Sequence, residues 1–68
     1  MNQGFKLKPH KGYIGSVIAE VELGYYWGAV LDTQVPIEYE ADNLNDLQDE
    51  FESAVDEYLR VVGIANLT

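Results

Sequence analysis

The sequence predicts an α+β fold of the order β-β-β-α: a three-stranded antiparallel β-meander with one long amphipathic α-helix packed on one face. Two observations predict this fold. The stretch Asn43–Val62 carries apolar residues at the 3.6-residue period of an α-helix. Before it, residues 12–41 contain three strand-like segments separated by turn residues. We find no internal repeat and expect a single domain over residues 1–68.

The composition is typical of a small globular domain. A hydrophobic content of 47% excludes a disordered chain, and the lack of cysteine excludes disulfides and cysteine-based metal sites. A chain of this size buries only about 60% of the surface that its unfolded form exposes, so a homodimer would be a natural way to bury more. No segment is apolar enough to span a bilayer or to act as a signal peptide. We therefore expect a soluble, cytoplasmic protein.

The first strand is predicted over Gly12–Glu22. Residues 1–10 lack periodicity and contain Pro9, so we expect an extended or mobile lead-in there. The expected core face of the strand consists of the alternate positions that avoid acidic residues: Tyr13, Gly15, Val17, Ala19 and Val21. A hairpin turn over Glu22–Gly24 follows, in which Gly24 can adopt a positive φ.

The second and third strands are predicted over Tyr25–Asp32 and Val35–Ala41. The second is apolar on both faces, which is typical of a central strand or of a strand whose second face meets a partner. The third strand alternates, and its inward positions are Val35, Ile37 and Tyr39. Because Pro36 cannot donate a ladder hydrogen bond, the third strand is predicted at an edge of the sheet.

The helix is predicted over Asn43–Val62, with Asn43 as its N-cap and Gly63 as its C-terminal stop. Its apolar face contains Leu44, Leu47, Phe51, Ala54, Val55, Tyr58 and Val62. Its acidic face contains Asp46, Asp49, Glu50, Asp56 and Glu57. Arg60 lies within i−4 and i−3 reach of Asp56 and Glu57. The apolar face must pack on the sheet, which leaves the acidic face for water or a partner.

Charge is distributed unevenly along the chain, whose formal net charge is −8. Lys6, Lys8 and Lys11 precede all twelve carboxylates, and Arg60 is the only later base. Such a body repels nucleic acid and membrane phosphates and attracts basic surfaces. Solubility alone is the ordinary explanation for an acidic surface. Clustering of the acids on one helix face and on alternate strand positions favours a binding surface instead.

Catalytic groupings are not recognisable in the sequence. His10 is the only histidine and is expected to be solvent-exposed, and neither Ser16 nor Ser53 has a base at a suggestive spacing. The helix acids offer oxygen ligands to Mg²⁺ or Ca²⁺, but exposed helix acids usually form a solvated face. We expect no cofactor, no metal ion and no enzymatic activity. A small enzyme stays an alternative that needs a bound metal or a buried acid with a shifted pKa.

Four motifs resemble one known family. They are KGYIGSV at Lys11–Val17, GYYWG at Gly24–Gly28, the helix entry IEYEADNLNDL, and FESAVDEYL at Phe51–Leu59. Together they resemble the N-terminal domain of HicB-type antitoxins, in which a KGYxGSV strand leads to a glycine-aromatic hairpin and to a helix ending in AVDDYL. The resemblance implies a partial, catalytically inactive ribonuclease-H-like fold that masks a basic, RNA-cleaving toxin. The family's C-terminal DNA-binding segment is not expected here, because the sequence ends at Thr68.

Two functional hypotheses follow, and both involve masking a basic nucleic-acid-binding site. The first is a non-catalytic inhibitor that acts as a DNA mimic, such as a phage or mobile-element anti-CRISPR protein bound to a CRISPR effector subunit. The second is a HicB-type antitoxin without a repressor domain, which sequesters a HicA-like toxin. Direct contact with nucleic acid or membrane is not expected. The predicted partner-binding residues are Asp46, Asp49, Glu50, Asp56, Glu57, Glu38, Glu40 and Tyr26. For Tyr26, core packing stays an equal alternative, whereas Trp27 is assigned to the core.

Overall fold

The computed structural model describes the backbone of residues 6–67 and the side chains of residues 6–63. Three short strands precede one helix: β1 (Ile18–Glu20), β2 (Tyr25–Ala29), β3 (Glu38–Ala41) and α1 (Leu44–Leu67). The strands form one antiparallel sheet in the order β1-β2-β3. The predicted β-β-β-α fold is confirmed, with the second strand at the centre and the third at an edge.

Strand β1 is much shorter than predicted because the ladder is interrupted at Ser16. The Ser16 carbonyl accepts a hydrogen bond from the Tyr39 hydroxyl at 2.8 Å. The amide of Ala29 instead donates to the Ser16 hydroxyl at 2.9 Å, while the Ser16 amide donates to the Ala29 carbonyl at 3.0 Å. Before this point the chain meets the sheet only at an isolated bridge between Gly15 and Val30. The side-chain hydroxyls of Ser16 and Tyr39 thus take the place of backbone groups in the ladder, and this divides the predicted first strand.

Close contacts at this junction require glycine. A Cβ at Gly28 would overlap the carbonyl oxygen of Ser16, and a Cβ at Gly15 would lie 2.7 Å from a ring carbon of Phe51. Without side chains at these two positions, Tyr39 can reach Ser16 from across the sheet while its ring packs against Phe51, with ring centroids 5.6 Å apart. We call Gly15, Ser16, Gly28 and Tyr39 the sheet junction.

Helix α1 buries one face against the sheet. Leu47, Phe51 and Val55 are fully buried, and Leu59, which was not assigned to the apolar face, also packs against the core. Asn43 caps the helix as predicted: its Oδ1 accepts from the Asp46 amide at 2.8 Å, and its Nδ2 donates to the Asp46 carboxylate at 3.0 Å.

The predicted helix end is wrong, because α1 continues through Gly63 to Leu67. Gly63 does not have the positive φ that a glycine stop requires. The helix therefore spans 24 residues, about 36 Å at 1.5 Å per residue.

The predicted core faces of the strands are correct only where α1 covers the sheet. The helix packs across β3 and β2 and does not contact β1. Tyr13 and Val17 pack against the core, but Ala19 is exposed and Val21 is 85% exposed, since nothing in the described chain covers them. Val35, also predicted inward, is 53% exposed because it precedes β3.

From residue 6 onward the lead-in packs against the rest of the chain, and residues 1–5 lie outside the described residues. Leu7 is only 5% exposed and belongs to the core. The Lys8 amide donates to Gln48 Oε1 at 2.8 Å, and Gln48 Nε2 donates back to the Lys8 carbonyl at 3.1 Å. The backbone of Lys8 is thus held to α1 by two hydrogen bonds, both formed with the side chain of Gln48.

We expect two glycine-to-alanine substitutions to have opposite effects on stability. Gly28→Ala forces a Cβ into the Ser16 carbonyl and should lower the free energy of unfolding by about 3 kcal/mol or more. Gly63→Ala has open space around it on a helix and should raise it by about 0.5–1 kcal/mol. Urea denaturation followed by circular dichroism measures both. Equal effects at the two positions would contradict the tight packing at the sheet junction.

Tyr39 should make stability fall at alkaline pH. Burial raises the pKa of its hydroxyl to about 12, against an ordinary value of about 10. Between these values the unfolded chain ionises first, so the free energy of unfolding should fall as pH rises from about 10 to about 12. Tyr39→Phe removes this component and, by leaving the Ser16 carbonyl without its donor, should cost about 1–3 kcal/mol at neutral pH.

Urea titrations of the wild type, Tyr39→Phe and the control Tyr25→Phe across this pH range measure the effect. The control should follow the wild type in its dependence on pH, because no hydrogen bond of the Tyr25 hydroxyl is found in the described chain. An unchanged pH dependence in Tyr39→Phe would show that another group is responsible.

Candidate partner-binding surface

Five carboxylates line one open depression between the end of β3, the β1–β2 turn and the first turns of α1. The depression has a volume of about 840 Å³ and also contains Leu23, Tyr25 and Ala41. We call the five acids the acidic groove: Glu40, Asp42, Asp46, Asp49 and Glu50. The structure thus brings together four of the predicted partner-binding residues and adds Asp42, which was not among them.

Helix geometry places three of these acids on one side. Asp46, Asp49 and Glu50 are separated by three and four residues, and they flank the buried Leu47 and Phe51. Glu40 reaches the same depression from β3, and Asp42 from the link between β3 and α1. The N-cap of α1 therefore anchors both sides of the groove, because it fixes where the strand ends and the helix begins.

Within the described residues, no basic side chain forms an ion pair with any acid of the groove. The ion pairs that the structure contains lie farther along α1, at Asp56 and Glu57. Like charges held close together repel one another, and the repulsion is greatest at low salt. A cation entering the groove would relieve it.

Asp56 and Glu57 belong to a different, largely neutralised region. Asp56 Oδ1 lies 2.9 Å from Lys11 Nζ and 2.8 Å from His10 Nε2. Hydrogen bonds from Lys11 and His10 lower the pKa of Asp56, and the hydrogen bond from Arg60 lowers the pKa of Glu57. These exposed pairs contribute little to stability, but the charges of Lys11 and Arg60 cancel the local negative charge.

The structure decides which acid Arg60 contacts and corrects the expectation for His10. Of the two acids within its reach, Arg60 pairs with Glu57, while Lys11 and His10 contact Asp56. His10 is only partly exposed and does not project freely into solvent. The lead-in folds back onto α1, which sequence spacing could not reveal because these contacts join residues 45 or 46 positions apart.

Two aromatic residues of β2 lie on opposite faces of the sheet: for Tyr26 the core alternative is the correct one, and the core assignment of Trp27 is wrong. Tyr26 pairs with Ala41 on the helix side and packs against the core, so it is removed from the acidic groove. Trp27, assigned to the core, pairs with Glu40 on the side away from α1. The cross-strand register decides this, and no signal in the sequence specified the register.

Glu38 lies apart from the acidic groove. Together with Tyr25, Trp27, Tyr39 and Glu40 it lines a second depression, of about 450 Å³. The two depressions share Tyr25 and Glu40. The eight predicted partner-binding residues are therefore distributed over the acidic groove, the second depression, the paired region of α1 and the core.

Three further observations concern metal binding, membrane insertion and the Ser16 hydroxyl. Among residues 6–63, no group of three or more His, Cys, Asp or Glu side chains is placed to hold a metal ion. Over residues 6–67, no helix combines the length and the apolar character needed to cross a bilayer. The Ser16 hydroxyl is engaged with the Ala29 backbone.

Comparison with family models, with curated proteins and with solved structures found no match for this chain. The resemblance to HicB-type antitoxins therefore stays a prediction that rests on the four short motifs.

Proposed function

We propose that this protein is a non-catalytic acidic inhibitor that binds and masks the basic nucleic-acid-binding surface of a partner protein. It would act as a DNA mimic, such as a phage or mobile-element anti-CRISPR protein. The observation that carries the proposal is the acidic groove, whose five carboxylates line one open depression with no ion-pair partner among the described residues.

Charge, more than shape, accounts for such mimicry. Acids that recur at each helical turn rise about 5.4 Å along the helix axis, whereas the phosphates of one DNA strand rise about 3.4 Å each along the duplex axis. The match to a phosphate backbone is loose, so recognition depends on a concentrated negative field. A field of this kind accelerates association with a basic surface by about 10–1000-fold at low salt, and salt screens it.

Within this mechanism, the groove acids should contribute more than the other acids of α1. Asp56 and Glu57 already interact with bases of the same chain, and a partner would have to displace those bases. Asp49 and Glu50 have no ion pair among the described residues that a partner must break, and they lie exposed on the first half of the helix. The unpaired charge is therefore concentrated where β3 and α1 meet.

The second candidate is a HicB-type antitoxin that sequesters a HicA-like toxin. The β-β-β-α order favours it, because the resemblance implies a partial ribonuclease-H-like fold. Both candidates mask a basic surface and differ in the identity of the partner. Co-expression with a HicA-like toxin separates them, since an antitoxin restores growth and an unrelated mimic does not.

Charge reversal in the groove should abolish masking. The variant Asp49→Lys/Glu50→Lys is compared with Glu22→Lys/Glu57→Lys, which changes net charge equally at exposed positions outside the groove. Proteins captured from a bacterial lysate at low salt are identified, purified and loaded with a labelled oligonucleotide. We expect the wild type and the control to displace the label, and the groove variant to do so at least about tenfold less effectively, because like-charge contacts cost several kcal/mol.

Circular dichroism verifies that both variants keep the fold. The proposal is contradicted if the captured proteins bind no nucleic acid, or if the groove variant displaces the label as well as the wild type. Displacement that is insensitive to salt would also contradict it, since exposed charges are screened within about 8 Å at physiological ionic strength.

A further inference from the structure

The outer face of the sheet, which is turned away from α1, combines aromatic rings with carboxylates. Tyr39 is buried against α1, so its neighbours Glu38 and Glu40 project from the opposite face. Trp27 is the cross-strand partner of Glu40 and shares that face, and Tyr25 lies two positions away on the same side. The described part of the chain places no helix over this face.

The Trp27 ring is held in place by the sheet itself. Its indole Nε1 donates a hydrogen bond to Glu20 Oε2 at 2.9 Å, and Glu20 is the cross-strand partner of Tyr25. Because the edge of the indole is engaged in this way, its orientation is set before any ligand arrives. The depression of about 450 Å³ that Trp27 lines contains the carboxylates of Glu38 and Glu40 and no basic side chain of the described residues.

The aromatic rings and carboxylates of this face determine which kind of ligand can bind there. A second copy of the chain would bring Glu20, Glu38 and Glu40 against the same acids, on a body of net charge −8. Nucleic acid could stack on the rings, but its phosphates would meet the same carboxylates. A cation with a flat, weakly hydrated surface satisfies both the rings and the acids, and arginine is the side chain with these properties.

We propose that the outer face binds arginine side chains of a basic protein partner, with the guanidinium stacked on Trp27 and Tyr25 and donating hydrogen bonds to Glu38 or Glu40. This inference rests on the proposed function and specifies the chemistry of its partner. Lysine fits less well, because its compact ammonium is strongly hydrated and cannot form two parallel hydrogen bonds with a carboxylate.

The outer face and the acidic groove form one continuous surface. Tyr25 and Glu40 line both depressions, so one basic segment can extend from the rings to the acids of α1. On this surface the groove supplies charge without distinguishing arginine from lysine, whereas the rings supply the preference for arginine. The two contributions can therefore be separated by experiment.

Capped hexa-arginine and hexa-lysine peptides of equal charge are the probes, titrated into the full chain by calorimetry at fixed ionic strength. Trp27 is the only tryptophan, so its fluorescence reports occupancy of the rings directly. We expect hexa-arginine to bind about tenfold more tightly than hexa-lysine and to change the Trp27 emission. Hexa-lysine should change that emission much less.

Three variants test which residues produce the preference for arginine over lysine. Trp27→Leu should weaken hexa-arginine binding by about tenfold and hexa-lysine binding by less than about twofold. Glu38→Gln, at an exposed position outside the acidic groove, should weaken hexa-arginine binding by about threefold, which tests the site even if Trp27→Leu fails to fold. Glu22→Gln is its matched control, because it removes the same charge from the exposed β1–β2 turn, and it should have no measurable effect.

The outcomes separate this inference from the proposed function. Equal affinities with unchanged Trp27 emission, weakened alike by Asp49→Lys/Glu50→Lys, would overturn the arginine site and leave the acidic groove supported. Affinities for both peptides that Asp49→Lys/Glu50→Lys leaves unchanged, with the arginine preference retained, would support the outer face and contradict the role of the groove. Failure of both peptides to bind would contradict both proposals.

Discussion

The contact between Tyr39 and Ser16 is the interaction on which the arrangement of the sheet depends. The Tyr39 hydroxyl donates to the Ser16 carbonyl across β2, and glycine at positions 15 and 28 makes the approach sterically accessible. Because the Ser16 carbonyl is used in this way, the regular ladder of β1 begins only at Ile18. The same contact orients the ring of Tyr39 towards Phe51, so the sheet junction also determines where α1 packs.

The position of α1 in turn decides which surfaces stay uncovered. The helix covers β3 and β2 and leaves β1 without a helical neighbour. The outer face of the sheet therefore keeps the rings of Tyr25 and Trp27 partly exposed, while the acidic groove forms where β3 turns into the helix. Both surfaces proposed for partner recognition are thus consequences of a single packing arrangement.

Charge is segregated along the helix, and the lead-in is the reason. By folding back on α1 through Leu7 and the Lys8–Gln48 hydrogen bonds, the lead-in brings His10 and Lys11 to Asp56. Lys11 at Asp56 and Arg60 at Glu57 neutralise the second half of the acidic face, and the first half has no ion pair among the described residues. The electrostatic asymmetry of the molecule therefore depends on hydrophobic docking of a segment that contains no regular secondary structure.

Local sequence determined the class of fold, the strand order and the N-cap of α1, because periodicity, turn residues and capping chemistry act over a few neighbouring residues. Only the tertiary structure decided that Trp27 faces outward and Tyr26 inward, since register is a relation between strands and not within one. It also decided which carboxylates are paired: Asp49 and Asp56 look alike on a helical projection, and contacts with a segment more than forty residues distant distinguish them. Helix α1 continues through Gly63 because that glycine keeps helical geometry, a backbone choice that residue type permits but does not impose.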